Sequence, residues 1–223
     1  MSGLYLRCLA VCVLLGMIWG CQSTPQNEIA KVTPPAPANA ERALELHHAG
    51  VKFLADGQTP QAQQAFEQAI AADPGCGPAH NNMGKIYLQQ QRFYQAAWEF
   101  ESAAKLMPAR SEPENNLGLV FERTGKLDSA IEHYTKAHAL APDQVEVLGN
   151  LVRARIRRGD RDASLKDLLS QLVLRETRPD WLAWAKEKLA LLAGKQADPS
   201  PRDTLPQPEP ERMFLPPTWE HGS

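Results

Sequence analysis

An excess of charge of one sign is the first thing the sequence lacks. Lysine and arginine number 24 against 26 aspartates and glutamates, a formal net charge of −2. Without a basic stripe to neutralise phosphates, nucleic acid is not the expected partner. Also missing are a Gly-rich phosphate loop, a nucleophile elbow, a His-Glu-x-x-His pair and a Cys-x-x-Cys set, so the reading is of a non-enzyme with no cofactor. No metal site is expected either, because His47 and His48 are adjacent and on a helix point about 100° apart. The longest apolar run, Cys8 to Trp19, falls short of the roughly 20 residues that span a bilayer. Proline is sparser in the middle of the chain, since 11 of the 18 prolines concentrate between Pro25 and Pro37 and between Pro199 and Pro217 and seven are spread between them. That distribution brackets a folded middle.

The apolar run, CLAVCVLLGMIW, follows Arg7 and has the length of a signal-peptide core. It ends in Ile18-Trp19-Gly20-Cys21, which resembles the lipobox of bacterial lipoproteins. The resemblance implies a signal peptide over 1–20 and lipidation of Cys21; an uncleaved anchor or an ordinary secretory signal is the alternative. One acyl chain binds a membrane marginally and two or more bind it stably, at about 0.8 kcal/mol per buried methylene. Gln22 after the cysteine implies, within that family, sorting to the outer membrane with the protein facing the periplasm. Cys8 and Cys12 would leave with the signal and Cys21 would carry lipid, leaving Cys76 and no internal disulfide.

A fixed period organises the middle. Gly50, Gly84 and Gly118 recur 34 residues apart, the last two in NNMGKIYL and NNLGLVFE. Aromatics recur at Phe53, Tyr87 and Phe121 and at Phe66, Phe100 and Tyr134; alanines at Ala62, Ala96 and Ala130 and at Ala69, Ala103 and Ala137; prolines at Pro74, Pro108 and Pro142. Met83, Ile86 and Tyr87, then Ala96, Phe100 and Ala103, fall at helical spacing, so each unit reads as two amphipathic helices crossing at small residues. Thr59-Pro60 reads as the start of a second helix with threonine as cap. The pattern resembles the tetratricopeptide repeat. It implies an all-α, right-handed α-solenoid of helix-turn-helix units over 41–194: repeats at 43–76, 77–110, 111–144 and a weaker 145–178.

In the fourth unit Val152 stands where the crossing glycine is due and Arg155 where the packing aromatic is due, its guanidinium expected in water. Asp180 to Gly194 reads as a capping helix, with Asp180 as cap and Gly194 as stop. The segments 21–40 and 195–223 read as a disordered tether and a Pro-rich disordered tail. Met213 to Trp219 is the apolar exception, either inert or a docking motif.

Asn82, Asn116 and Asn150 repeat the same spacing two residues before the crossing position. The family implies that this side of the first helix lines a concave groove, and the row resembles the asparagine ladder with which some members hold extended polypeptides. The alternative is that each amide bonds within its own helix pair. Lys85, Leu119, Arg123, Arg153 and Arg157 join the candidate groove, with Glu122 beside them. The arginines from Arg153 to Arg161 read as a solvated face, a clamp for an acidic peptide, or a site for anionic headgroups. Glu99 and Glu101 read as solvated. The functional expectation is a periplasmic scaffold, anchored at the outer membrane, that grips an extended segment of an envelope protein, as tetratricopeptide lipoproteins of pilus and secretin assembly do. The alternatives are an accessory that tethers a cell-wall enzyme and a lipid or glycan adaptor.

Overall fold

The computed structural model describes residues 38–194. The expected signal peptide, the lipidated Cys21, all but the end of the tether, and the Pro-rich tail lie outside the described residues. Among the described residues nine helices follow one another: α1 Ala40–Ala55, α2 Thr59–Ala72, α3 Gly77–Gln89, α4 Phe93–Leu106, α5 Ser111–Arg123, α6 Leu127–Leu140, α7 Val145–Arg158, α8 Ala163–Arg175 and α9 Pro179–Leu192. No strand occurs among the described residues. Each helix packs on the next in chain order and α3 also meets α5, the neighbour-to-neighbour pattern of a helical solenoid.

Helix starts differ from expectation at two points. Thr59 is already the first helical residue of α2, so its hydroxyl is not the cap; Gln58 holds that place without a side-chain bond. In α9 the proline ring sets the start at Pro179, Arg178 is the cap, and Asp180 sits in the first turn, where its charge faces the positive end of the helix. Side-chain caps do occur at Asn39, which accepts from the Arg42 N–H at 2.9 Å, and at Asp162, which accepts from the Leu165 N–H at 2.9 Å.

Within a unit the two helices meet where a ring lies on a bare glycine. A Cβ on Gly50, Gly84 or Gly118 would come within 2.5, 2.6 or 2.5 Å of the rings of Phe66, Phe100 and Tyr134. All three rings are fully buried. The turn between the helices passes through a left-handed residue at the same period: Gly57, Gln91, Gly125 and Gly159 have φ of 72°, 58°, 76° and 97°. Glycine adopts this conformation freely, whereas Gln91 holds it against a steric cost.

The fourth unit departs by one residue. Its connection spans 159–162, against the shorter 56–58, 90–92 and 124–126. Helix α8 is thereby shifted in register, and Leu165, Leu169 and Leu172 take the buried places held one unit earlier by Ala130, Tyr134 and Ala137. An aliphatic chain in place of the ring leaves space for Val152, also fully buried, where earlier units need glycine. Arg155 does not extend into water as expected. It is largely buried, with its nitrogens 2.8 Å from Asp160 and 2.6 Å from Asp162, because the longer turn supplies carboxylates at its side.

The two middle units carry a polar bridge between their helices. His80 Nδ1 lies 2.7 Å from Glu99, and His133 Nδ1 lies 2.7 Å from Glu114. Residues 80 and 114 are equivalent, as are 99 and 133, so the same bridge is built twice with the partners exchanged. Glu99 is therefore a partly buried structural partner and not a solvated carboxylate.

Candidate functional site: the face of the first helices

Helices α1, α3, α5 and α7 share one face, and amide rungs tie them together across units. Asn82 Nδ2 donates to His47 Nε2 at 3.0 Å. Asn116 Nδ2 donates to Asn81 Oδ1 at 3.0 Å, and Asn150 Nδ2 donates to Asn115 Oδ1 at 3.0 Å. Each donor thus reaches the unit before it, one position earlier in the repeat. Asn116 and Asn150 are buried and Asn82 is partly so. The expectation of amides free to hold a guest backbone is corrected accordingly: one N–H of each is committed to fastening neighbouring units. A buried amide left unpaired would cost about 1–3 kcal/mol, which is why the paired rung is the stable arrangement. Counting on by the same period, the donor position falls on Trp184 and the acceptor position on Gly149, which has no side chain and lies against the Trp181 ring. The Trp184 indole N–H is buried without a partner, and the ladder stops there.

At the other end His47 replaces the asparagine. Burial, then the charges of His48 and Lys85, press its pKa down to about 4, so the ring is neutral and Nε2 accepts the Asn82 proton. Lys85 stands beside this rung. It is partly buried, and desolvation pulls its ammonium below the ordinary lysine value while Glu112 opposes that from a distance. Among the described residues it has no ion-pair partner.

Glu122 is the hub at the far end of this face. It accepts from Tyr134 Oη at 2.8 Å, from Arg153 Nε at 3.0 Å and Nη2 at 2.7 Å, and from Arg157 Nη1 at 2.7 Å. Burial alone would raise the Glu122 carboxyl, but the bonds from Arg153, Tyr134 and Arg157 outweigh it and hold the pKa below the usual range. Arg153, placed in the groove by the sequence reading, is only 2% exposed; Glu122 takes its Nε and Nη2, Nη1 is buried without a hydrogen-bond partner, and the guanidinium lies 5.6 Å from the centre of the Trp181 ring. It is an internal tie between units, not a clamp for a guest. Leu119 is likewise buried in the core shared by the second and third units. Arg157 is half-exposed with one edge on Glu122, and Arg123 is exposed. Of the rest of the arginine cluster, Arg155 and Arg158 are also paired, and Arg161 is exposed. Arg158 bonds Asp160 at 2.7 Å and Asp128 at 3.0 Å, and hydrogen bonds from Arg158 and Arg155 hold Asp160 down to about 2. These pairings leave Arg161 and the open edge of Arg157 for headgroups.

The role of Glu122 as a hub was not read from the sequence, although a signal existed. Phe66 and Phe100 are followed at the same place by Tyr134, and a hydroxyl introduced at a fully buried ring position requires an acceptor. Among the described residues no cluster of His, Cys, Asp and Glu could hold a metal ion. No described helix is long and apolar enough to cross a membrane.

These features define a helical-repeat scaffold: a solenoid whose units are glycine–ring hairpins fastened by amide rungs. It is of tetratricopeptide type. A family profile described as Tetratricopeptide repeat matches residues 53–112, and a second of the same description matches 112–144. No curated protein matches in sequence. Among solved structures, Pseudomonas aeruginosa pilF is similar with TM-score 0.62 and 21% identity, over 68% of this chain and 69% of that one. YrrB, described as a TPR protein with an unusual peptide-binding site, is similar with TM-score 0.60 and 15% identity, over 70% of this chain and 78% of that one. The first TPR of Spaghetti (RPAP3), bound to the HSP90 peptide SRMEEVD, is similar with TM-score 0.53 and 20% identity, over 55% and 98%. At such identities the likeness establishes the fold, and that fold is consistent with a scaffold for protein–protein interaction.

Proposed function

We propose that this chain is a cell-envelope scaffold that holds an extended segment of another envelope protein against the face of its first helices. It is anchored to the outer membrane through lipid on Cys21, facing the periplasm, and serves in assembly of a pilus or secretion machine. The observation that carries the reading is Lys85: an ammonium partly stripped of water, between amide rungs, with no ion pair among the described residues. Desolvating a cation without a partner is unfavourable, and a carboxylate or carbonyl of a guest would offset that cost. Arg123 and the open edge of Arg157 extend the donors along the face. Asn82, Asn116 and Asn150 keep their second N–H and their carbonyl oxygen outside the rungs. The peptide-binding descriptions of YrrB and of Spaghetti, and the likeness to pilF, support this use of the fold. The lipobox-like Ile18-Trp19-Gly20-Cys21 supports the anchor.

Affinity capture from solubilised envelopes tests it. Lys85→Ala with Arg123→Ala is expected to lose a polypeptide that the wild type captures, with unfolding unchanged. Undiminished capture would refute the site. Separately, Cys21→Ser is expected to release the protein from the membrane fraction.

A further inference from the structure

Helix α4 carries two aromatic side chains that the repeat does not use. Tyr94 is 81% exposed and Trp98 is 61% exposed, one helical turn apart on the same face. The equivalent positions one unit earlier are Pro60 and Gln64 and one unit later Asp128 and Glu132, all exposed. A polar or small residue therefore satisfies the fold at these places. The aromatic pair is peculiar to the second unit, and its apolar surface faces water.

The size of the pair limits what covers it. Two aromatic side chains offer roughly 300–500 Å², less than the roughly 800 Å² per partner of a stable dimer. That footprint suits a short apolar segment rich in proline, whose preformed extended backbone docks on aromatic platforms with little loss of conformational freedom. The chain supplies such a segment. Beyond Gly194 the sequence is proline-rich and charged except for MFLPPTW, Met213 to Trp219. Pro216 lies 22 residues past Gly194, a reach of about 68 Å at about 3.1 Å per extended residue. The path from α9 back to α4 crosses five packed helix pairs, about 50 Å at up to about 10 Å each. The nearer prolines around Pro206 are too close to Gly194 for that distance, and the apolar segment is not.

We propose that Tyr94 and Trp98 form a docking platform for this chain's own segment Met213–Trp219, which folds the tail back along the outer side of the solenoid. Tethering sets an effective concentration on the order of 1 mM, so a contact with an intrinsic Kd of about 0.1 mM is occupied about ten to one. Neither Lys85 nor the amide rungs enter this contact, so it stands or falls apart from the proposed function.

Hydrogen exchange on the full chain tests it. Amides of Phe214, Leu215, Thr218 and Trp219 are expected to exchange about tenfold more slowly than those of a free chain, at a rate independent of protein concentration. Tyr94→Ser with Trp98→Ser abolishes that protection, whereas Asp128→Ser with Glu132→Ser leaves it intact. Both pairs are exposed, and unaltered exchange in α3 to α6 verifies that the fold survives. Absence of protection, protection that persists in the Tyr94/Trp98 variant, or protection that grows with concentration and so reports a second copy, would each overturn the proposal.

Discussion

The carboxylate of Glu122 on α5 receives two hydrogen bonds from Arg153 on α7, at 3.0 and 2.7 Å, and thereby joins the third and fourth units through a buried charge pair. Tyr134 and Arg157 complete its coordination. Removing one member of such a pair strands the other in a low-dielectric site, at a cost of about 3–5 kcal/mol. Glu122→Ala is expected to lose that much stability in chemical denaturation, and Glu122→Leu with Arg153→Met to recover most of it. A single variant within about 0.5 kcal/mol of wild type would show that the pair is not structural.

The contact of Gly84 with Phe100 makes a second prediction. An added Cβ would lie 2.6 Å from the ring, so Gly84→Ala is expected to cost about 2–3 kcal/mol by overpacking. Adding Phe100→Leu copies the Val152 and Leu169 solution of the fourth unit and should restore at least half of the loss. Denaturation midpoints of the single and double variants decide it: equal midpoints would mean the ring is not what excludes the methyl.

Acid should loosen the first rung. Folded His47 resists protonation down to about 4 through burial, then through His48 and Lys85, while the unfolded ring titrates near its ordinary 6.5. Between those values the unfolded chain binds a proton that the folded chain refuses, so stability present above about pH 6.5 is lost as the pH falls. After allowance for partial exposure the loss is on the order of 2 kcal/mol. His80 acts with the opposite sign. Its bond to Glu99 raises its pKa, and its contribution is present below about 6.5 and disappears as the pH rises through the raised value. His47→Asn, which copies Asn81 and Asn115, is expected to retain more stability than wild type at pH 4.5. An identical acid loss in denaturation at pH 4.5 and 7 would exclude His47 as its origin.

Gln91 holds a left-handed φ of 58° where the equivalent positions have glycine. Relief of the side-chain clash outweighs the added freedom of an unfolded glycine, so Gln91→Gly is expected to stabilise by about 0.5 kcal/mol. Thermal unfolding that moves downward would refute the strain.

Helix, turn and crossing were legible in the sequence because each is a local consequence of one repeating period. Gly84 opposite Phe100 and the proline after each unit state where chains must approach and where they must turn. The fourth unit was harder to read. One extra turn residue shifts α8 without disturbing α7, and a fixed period imposed on Leu168 misses the buried Leu169. Candidate site residues were the least legible. Asn116 and Arg153 present hydrogen-bonding groups whose chemistry is apparent from sequence, but whether those groups meet a guest or a neighbouring helix depends on side-chain directions that spacing does not specify.

The amino-acid order by itself determined the solenoid, since 34-residue recurrence of glycine, ring and alanine leaves stacked hairpins as the way to bury each unit's apolar face. Only the tertiary structure decided which polar groups are already spent. Asn116, Asn150 and Arg153 are committed to adjacent units, and Lys85 is left partly desolvated without an ion pair among the described residues, because contacts between helices 34 residues apart are set by packing across units and not by anything within one of them.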